Sequence, residues 1–164
     1  MKKLCGGIST FNERVGTLVA WLLPIMALIT FSVAVLRYGF NFGSIAMQES
    51  ITYLHASVFM LAGAYTLKHN EHVRVDIIYQ GMSRKNQARV NFFGCILLVL
   101  PFTGFIVWTS FDYVINSWKL MEGSREAGGL PFVFILKTLI PAMAMLLFLQ
   151  AVAMGGQAWL VMRE

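Results

Sequence analysis

Hydrophobic positions in this chain gather into four long runs, and the charged positions fall almost entirely between them. Val15–Leu36, Ser50–Leu67, Val90–Phe111 and Thr138–Met162 are uncharged and mostly apolar. Crossing a bilayer takes about 20 such residues. Backbone in hydrocarbon must pair its own N–H and C=O groups, which a helix does within one segment. The pattern therefore predicts an all-α membrane protein, a single domain over residues 1–164 with four transmembrane helices. The spans are placed near 15–36, 50–67, 90–111 and 132–162, the last beginning at the turn Gly128-Gly129-Leu130-Pro131.

The connecting segments give the orientation. With spans alternating in direction, the first 14 residues, the middle loop 68–89 and the C-terminus share one side. That side carries nine basic residues, Lys2, Lys3, Arg14, Lys68, Arg74, Arg84, Lys85, Arg89 and Arg163, whereas the other carries only Arg37, Lys119 and Arg125. The bias places both termini in the cytoplasm. Asn12, Glu13 and Arg14 interrupt any signal-peptide core after Lys2 and Lys3, so the first run is expected to be a retained span. Trp108, Trp118 and Trp159 fall near span ends, where amphipathic rings are favoured. Pro24, Pro101 and Pro141 fall inside spans, where a missing N–H predicts kinks.

Residues 68–89 form the long cytoplasmic connection. Val73, Val75 and Ile77 alternate with Arg74 and Asp76, and Ile78, Tyr79 and Met82 extend the apolar face. This predicts a short interfacial segment, with His72, Arg74, Asp76 and Tyr79 at the headgroups of membrane lipids. Ser83 is placed to cap a helix entering the third span. Ala151 and Gly155, with Gly156 beside them, have the spacing of close helix packing.

Composition narrows the function. The chain is 57% hydrophobic and only 13% charged, about half the usual charged share. Its net charge of +5 reflects sorting across a membrane rather than a soluble basic face, so nucleic acid is excluded as a partner. Cys5 and Cys95 are expected at different depths, as unpaired thiols. Gly123–Gly128 has the outer spacing of a phosphate loop, but Leu130 follows where Lys and a hydroxyl residue are required. His55 is the one histidine well inside a span. His69 and His72 stand three apart without an evident third ligand, so neither haem nor metal is expected. No nucleophile–base set or paired carboxylates assemble, so no enzyme and no cofactor are predicted.

One polar constellation remains. Arg37 closes the first span, Glu49 opens the second, Asp112 ends the third and Lys137 lies about six residues into the fourth, all toward the outer boundary. A lysine at that depth calls for an acidic partner, and Glu49 is the expected one, shared with Arg37. Such a cluster serves as a helix clasp or subunit contact, or alternatively as a substrate or proton-coupling group.

Arg37-Tyr38, Glu49, and His72-Val73-Arg74-Val75-Asp76 resemble the small membrane subunit of tripartite ATP-independent periplasmic (TRAP) transporters. So do Ser124-Arg125-Glu126, Gly129-Leu130-Pro131, Leu136-Lys137 and Ile140-Pro141, in that order. The resemblance implies a bacterial inner-membrane subunit of a secondary transporter for an organic acid, driven by an ion gradient. It also implies two partners, a periplasmic solute-binding protein and a large multi-span membrane subunit. The large subunit carries substrate and ion by an elevator-like motion, and the small one braces its static scaffold. Two other readings compete. A self-contained four-helix exporter needs a carboxylate deep in its first span, which Val15–Leu36 lacks. A membrane redox or haem subunit needs paired cysteines or stacked histidines.

Overall fold

The computed structural model describes residues 2–69 and 79–163, and these are helical wherever they are regular. Helix α1 (Lys2–Ala20) leads into α2 (Leu22–Phe40), followed by α3 (Ile45–Leu61), α4 (Gly63–Lys68), α5 (Arg84–Gly94), a π-helical turn (Cys95–Val99), α6 (Leu100–Lys119) and α7 (Val133–Arg163). Among the described residues, Lys2–Phe40, Arg84–Lys119 and Val133–Arg163 are long and apolar enough to cross a membrane. The stretch Ile45–Lys68 is divided at Ala62.

Two of the irregularities in these helices follow from proline chemistry. Pro24 has no N–H to give to Ala20, and its ring crowds that carbonyl. The chain accordingly breaks at Trp21, whose N–H bonds back to Leu18 O at 3.2 Å. Pro101 likewise cannot donate to Leu97, and the backbone widens just before it into the π turn, where the Leu100 N–H reaches Cys95 O. Pro141 sits inside α7, which continues unbroken for 31 residues, about 46 Å. Asn41, at φ 51°, ends α2 in the left-handed conformation, and the Phe42 N–H closes back on Leu36 O at 3.0 Å. Ser44 and Ser83 cap α3 and α5, accepting from Met47 N and Asn86 N at 3.4 Å each.

The first span departs from expectation at its start. Residues before Val15 are not a tail. They form the first turns of α1, and Cys5, Ser9, Asn12, Gly16 and Val19 make up its buried stripe. The third is longer than its apolar run, beginning at Arg84 and ending at Lys119, because polar helix formers continue it past the hydrocarbon boundary. Helix α7 is the axis, packing against α1, α3, α4, α5, the π turn and α6.

The interior is made of small and polar side chains. Ala64, Ala88, Ala144, Ala151, Ala153, Ala158, Thr103, Ser110, Ser117, Asn12 and Gln150 are buried, whereas Leu28, Phe31, Phe59, Phe105, Trp108 and many other large apolar residues face outward. In lipid, helices gain little by burying Leu against Leu. They gain by close backbone approach and polar contacts, and this distribution matches that regime.

Close approach is visible at single glycines. A Cβ at Gly16 would lie 2.5 Å from Tyr65 Cβ, so the close approach of α1 to α4 there leaves no room for a side chain. Gly155 faces Cys95 and Gly156 faces Cys5, in line with the packing expected of Ala151 and Gly155. The two thiols are buried and form no disulfide. They touch adjacent positions of α7, at one level of the bundle rather than at different depths. The helical extension of α1 brings Cys5 there.

Candidate functional site

The connection 120–132, between α6 and α7, gathers most of the polar chemistry at its end of the bundle. Met121, at φ 46°, ends α6, and the Glu122 N–H returns to Ser117 O at 3.0 Å. Within the loop, Ser124 N–H donates to Leu130 O at 2.9 Å and Gly129 N–H to Glu126 O at 3.0 Å. Gly128, at φ 81°, supplies the left-handed step between them.

Two carboxylates hold this loop. Glu49, in the first turns of α3, accepts the Leu130 N–H at 2.6 Å and the Ser124 hydroxyl. A Cβ at Gly129 would come within 2.8 Å of Glu49 Oε2 and closer still to Ser124, so glycine is required for the loop to seat on the carboxylate. Glu122 accepts Ser117 Oγ–H at 2.7 Å and the Lys137 ammonium at 2.5 Å. The Lys137 Nζ also lies 4.0 Å from the centre of the Tyr113 ring, a cation–π contact. The lysine hydrogen bond first, and Ser117 second, hold the Glu122 carboxyl below its ordinary value. Trp118 completes the end, donating from Nε1 to Thr138 Oγ1 at 2.8 Å and meeting Phe134 edge-on.

Of the four residues expected to cluster, the structure brings Glu49 and Lys137 to the same loop but not to each other. The expected Glu49–Lys137 pair is replaced by Glu122–Lys137. Glu49 is occupied by Ser124 and Leu130, and the turn after α6 carries Glu122 back over the first turns of α7. Arg37 and Asp112 are exposed and form no ion pair among the described residues.

At the opposite end, which carries the termini, Glu13 pairs with Lys68 Nζ at 2.5 Å and with His69 Nε2 at 2.9 Å. Asn12 Nδ2 donates to Gln150 Oε1 at 2.9 Å, joining α1 to α7 in the core. Tyr79 is half-buried; its hydroxyl accepts from Asn91 Nδ2 at 2.8 Å and its carbonyl from Gln87 Nε2 at 3.1 Å. The other three residues assigned to the interfacial segment, His72, Arg74 and Asp76, lie outside the described residues. Among the described residues no group of three or more His, Cys, Asp or Glu side chains is placed to share a metal ion.

These observations define a membrane protein whose polar groups fasten its own helices. Its sequence matches the family described as tripartite ATP-independent periplasmic transporters, DctQ component, over residues 26–160. The chain belongs to that family, the small component of TRAP transporters. It is similar to a protein of Haemophilus influenzae named "Putative TRAP transporter small permease protein", 25% identical over 114 residues, 68% of this chain and 71% of the relative. No solved structure matches the chain.

Proposed function

We propose that this chain is the scaffolding subunit of a tripartite secondary transporter for an organic acid, driven by an ion gradient and supplied by a periplasmic solute-binding protein. It braces the large multi-span subunit and carries no substrate itself. Four helices cross the bacterial inner membrane in this reading, with Ile45–Lys68 serving as the second span despite its break at Ala62. The nine-to-three distribution of basic residues favours both termini in the cytoplasm.

The observation that carries the proposal is the use of the polar groups. Glu13, Glu49, Glu122, Lys68 and Lys137 all have partners within the chain, and Asn12 and Gln150 engage each other. A secondary carrier needs such groups lining a path near the bilayer midplane, usually between repeated halves. Helix α2, by contrast, buries none of its 19 residues, which leaves a full apolar helix to meet lipid or another subunit.

Affinity purification through a tag on this chain, from membranes that also express the large subunit, tests the reading. The large subunit should be recovered with it at constant ratio. Recovery of this chain alone, under conditions that preserve other membrane complexes, would refute the proposal.

A further inference from the structure

The end of the bundle that carries the termini forms an open cavity of about 370 Å³ lined from α1, α4, α5 and α7. Two cations, Lys68 and Arg84, line it with the amides of Asn91, Gln150 and Gln157. Lys68 is offset by Glu13. Arg84 is exposed and has no ion pair among the described residues, so the described lining carries a net positive charge. Ser9 also lines the cavity; it is 8% exposed, and its hydroxyl has no hydrogen-bond partner. A buried hydroxyl without a partner and a guanidinium without an ion pair among the described residues, lining one cavity, are a recognition set for an anionic oxygen.

A second cavity of about 530 Å³ is lined by Leu67 of α4, Leu98 of the π turn, Phe102 of α6 and Leu147 of α7. Leu67 adjoins Lys68 on α4, Leu147 stands one turn from Gln150 on α7, and Leu98 lies two turns beyond Asn91. The two cavities thus follow one another from the terminal end toward the middle of the bundle, the first polar and cationic, the second apolar. That succession matches one amphiphile.

We propose that these cavities hold a single anionic phospholipid, its phosphate against Arg84 and the Ser9 hydroxyl and an acyl chain along Leu67, Leu98 and Leu147. A free phosphate leaves the apolar cavity unused, and a zwitterionic lipid brings a headgroup cation up to Lys68 and Arg84, which an anionic lipid does not. Basic pockets between membrane helices on the cytoplasmic side recognise anionic headgroups in this way. The binding assignment stands on the two cavities; only the naming of the cytoplasmic leaflet rests on the orientation proposed above.

Native mass spectrometry of the purified full chain tests this, with phosphatidylglycerol and phosphatidylcholine of identical acyl chains as probes and inorganic phosphate as competitor. One phosphatidylglycerol should be retained in preference to phosphatidylcholine. Arg84→Gln should weaken phosphatidylglycerol roughly fivefold and phosphatidylcholine less, so that the preference between them narrows. Lys85→Gln, at an exposed neighbour that does not line the cavity, should change neither. Equal retention of the two lipids, an equal loss in Lys85→Gln, or displacement of the lipid by equimolar phosphate would each overturn the proposal. Labelling of Lys85→Cys from the cytoplasm supports the leaflet; labelling from the periplasm overturns the leaflet and the topology while leaving the lipid preference to stand or fall on its own.

Discussion

Lys137 is held by Glu122, 2.5 Å away across the helical hairpin of α6 and α7, and not by the glutamate that opens α3. The pair ties the end of one helix to the start of the next, with Ser117 and Tyr113 completing the contact. Removing one partner strands the other charge at a half-buried position, a worse outcome than removing both. Lys137→Met and Glu122→Gln should each lower the melting temperature of the purified chain by a few degrees, and the double variant should recover part of that loss. A thermal double-mutant cycle measures the coupling. Simple additivity would rule out the pairing.

The same contact makes stability depend on acidity. Glu122 is held below the ordinary carboxylate value of 4.5, chiefly by Lys137. A carboxylate depressed in the folded state binds protons more readily when unfolded, so its stabilisation is complete above the ordinary value. It is lost as the pH falls through the lower folded value. Melting temperatures recorded from neutral pH downward should stay level and then fall below about pH 4.5. Glu122→Gln should show a shallower fall, and an identical profile in the variant would assign the acid loss elsewhere.

Gly129 seats the loop on Glu49. An added methyl would meet Ser124 and the Glu49 carboxylate within 2.8 Å, and overpacking of this kind costs about 1–3 kcal/mol. Gly129→Ala should therefore loosen the loop, with faster thiol labelling of a cysteine placed at Glu126. Gly123→Ala, whose nearest neighbour stands at 3.3 Å, should have a smaller effect. Equal labelling rates in Gly129→Ala and the parent would show that the loop is not seated this way.

Asn12 and Gln150 form the one side-chain hydrogen bond between two fully buried residues of α1 and α7, at 2.9 Å. Interhelical bonds of this kind are worth about 0.6 kcal/mol on average in membranes, while a stranded buried amide costs about 1–3 kcal/mol. Asn12→Leu or Gln150→Leu alone should destabilise the chain more than the two together, as read by thermal melting. A double variant worse than both singles would indicate that other contacts fix α1.

Much of this architecture was legible because hydropathy and charge act over whole segments. All four runs are helical, three of them within stretches long and apolar enough to cross a membrane, Ser83 caps the helix it was expected to cap, and Ala151 and Gly155 are buried where their spacing suggested close packing. Less legible was the helix from Lys2 to Ala20. Its mixed polar sequence carries no span signal, and its buried stripe becomes apparent only against α7. The Glu49–Lys137 pairing failed for a related reason. Depth along a span was readable, but rotation about the helix axis and the return path of a 13-residue loop were not, and those decided that Glu122 meets Lys137 while Glu49 holds the loop. Gln150 did give a signal, as an amide deep in an apolar run, though its partner lay in a segment taken for a tail.

The most direct test of the scaffolding role is ion-gradient-driven uptake of an organic acid into liposomes of defined subunit content. The account predicts no uptake with this chain alone and uptake once the large subunit and the periplasmic binding protein are added. Gradient-dependent uptake by the purified chain alone would contradict it.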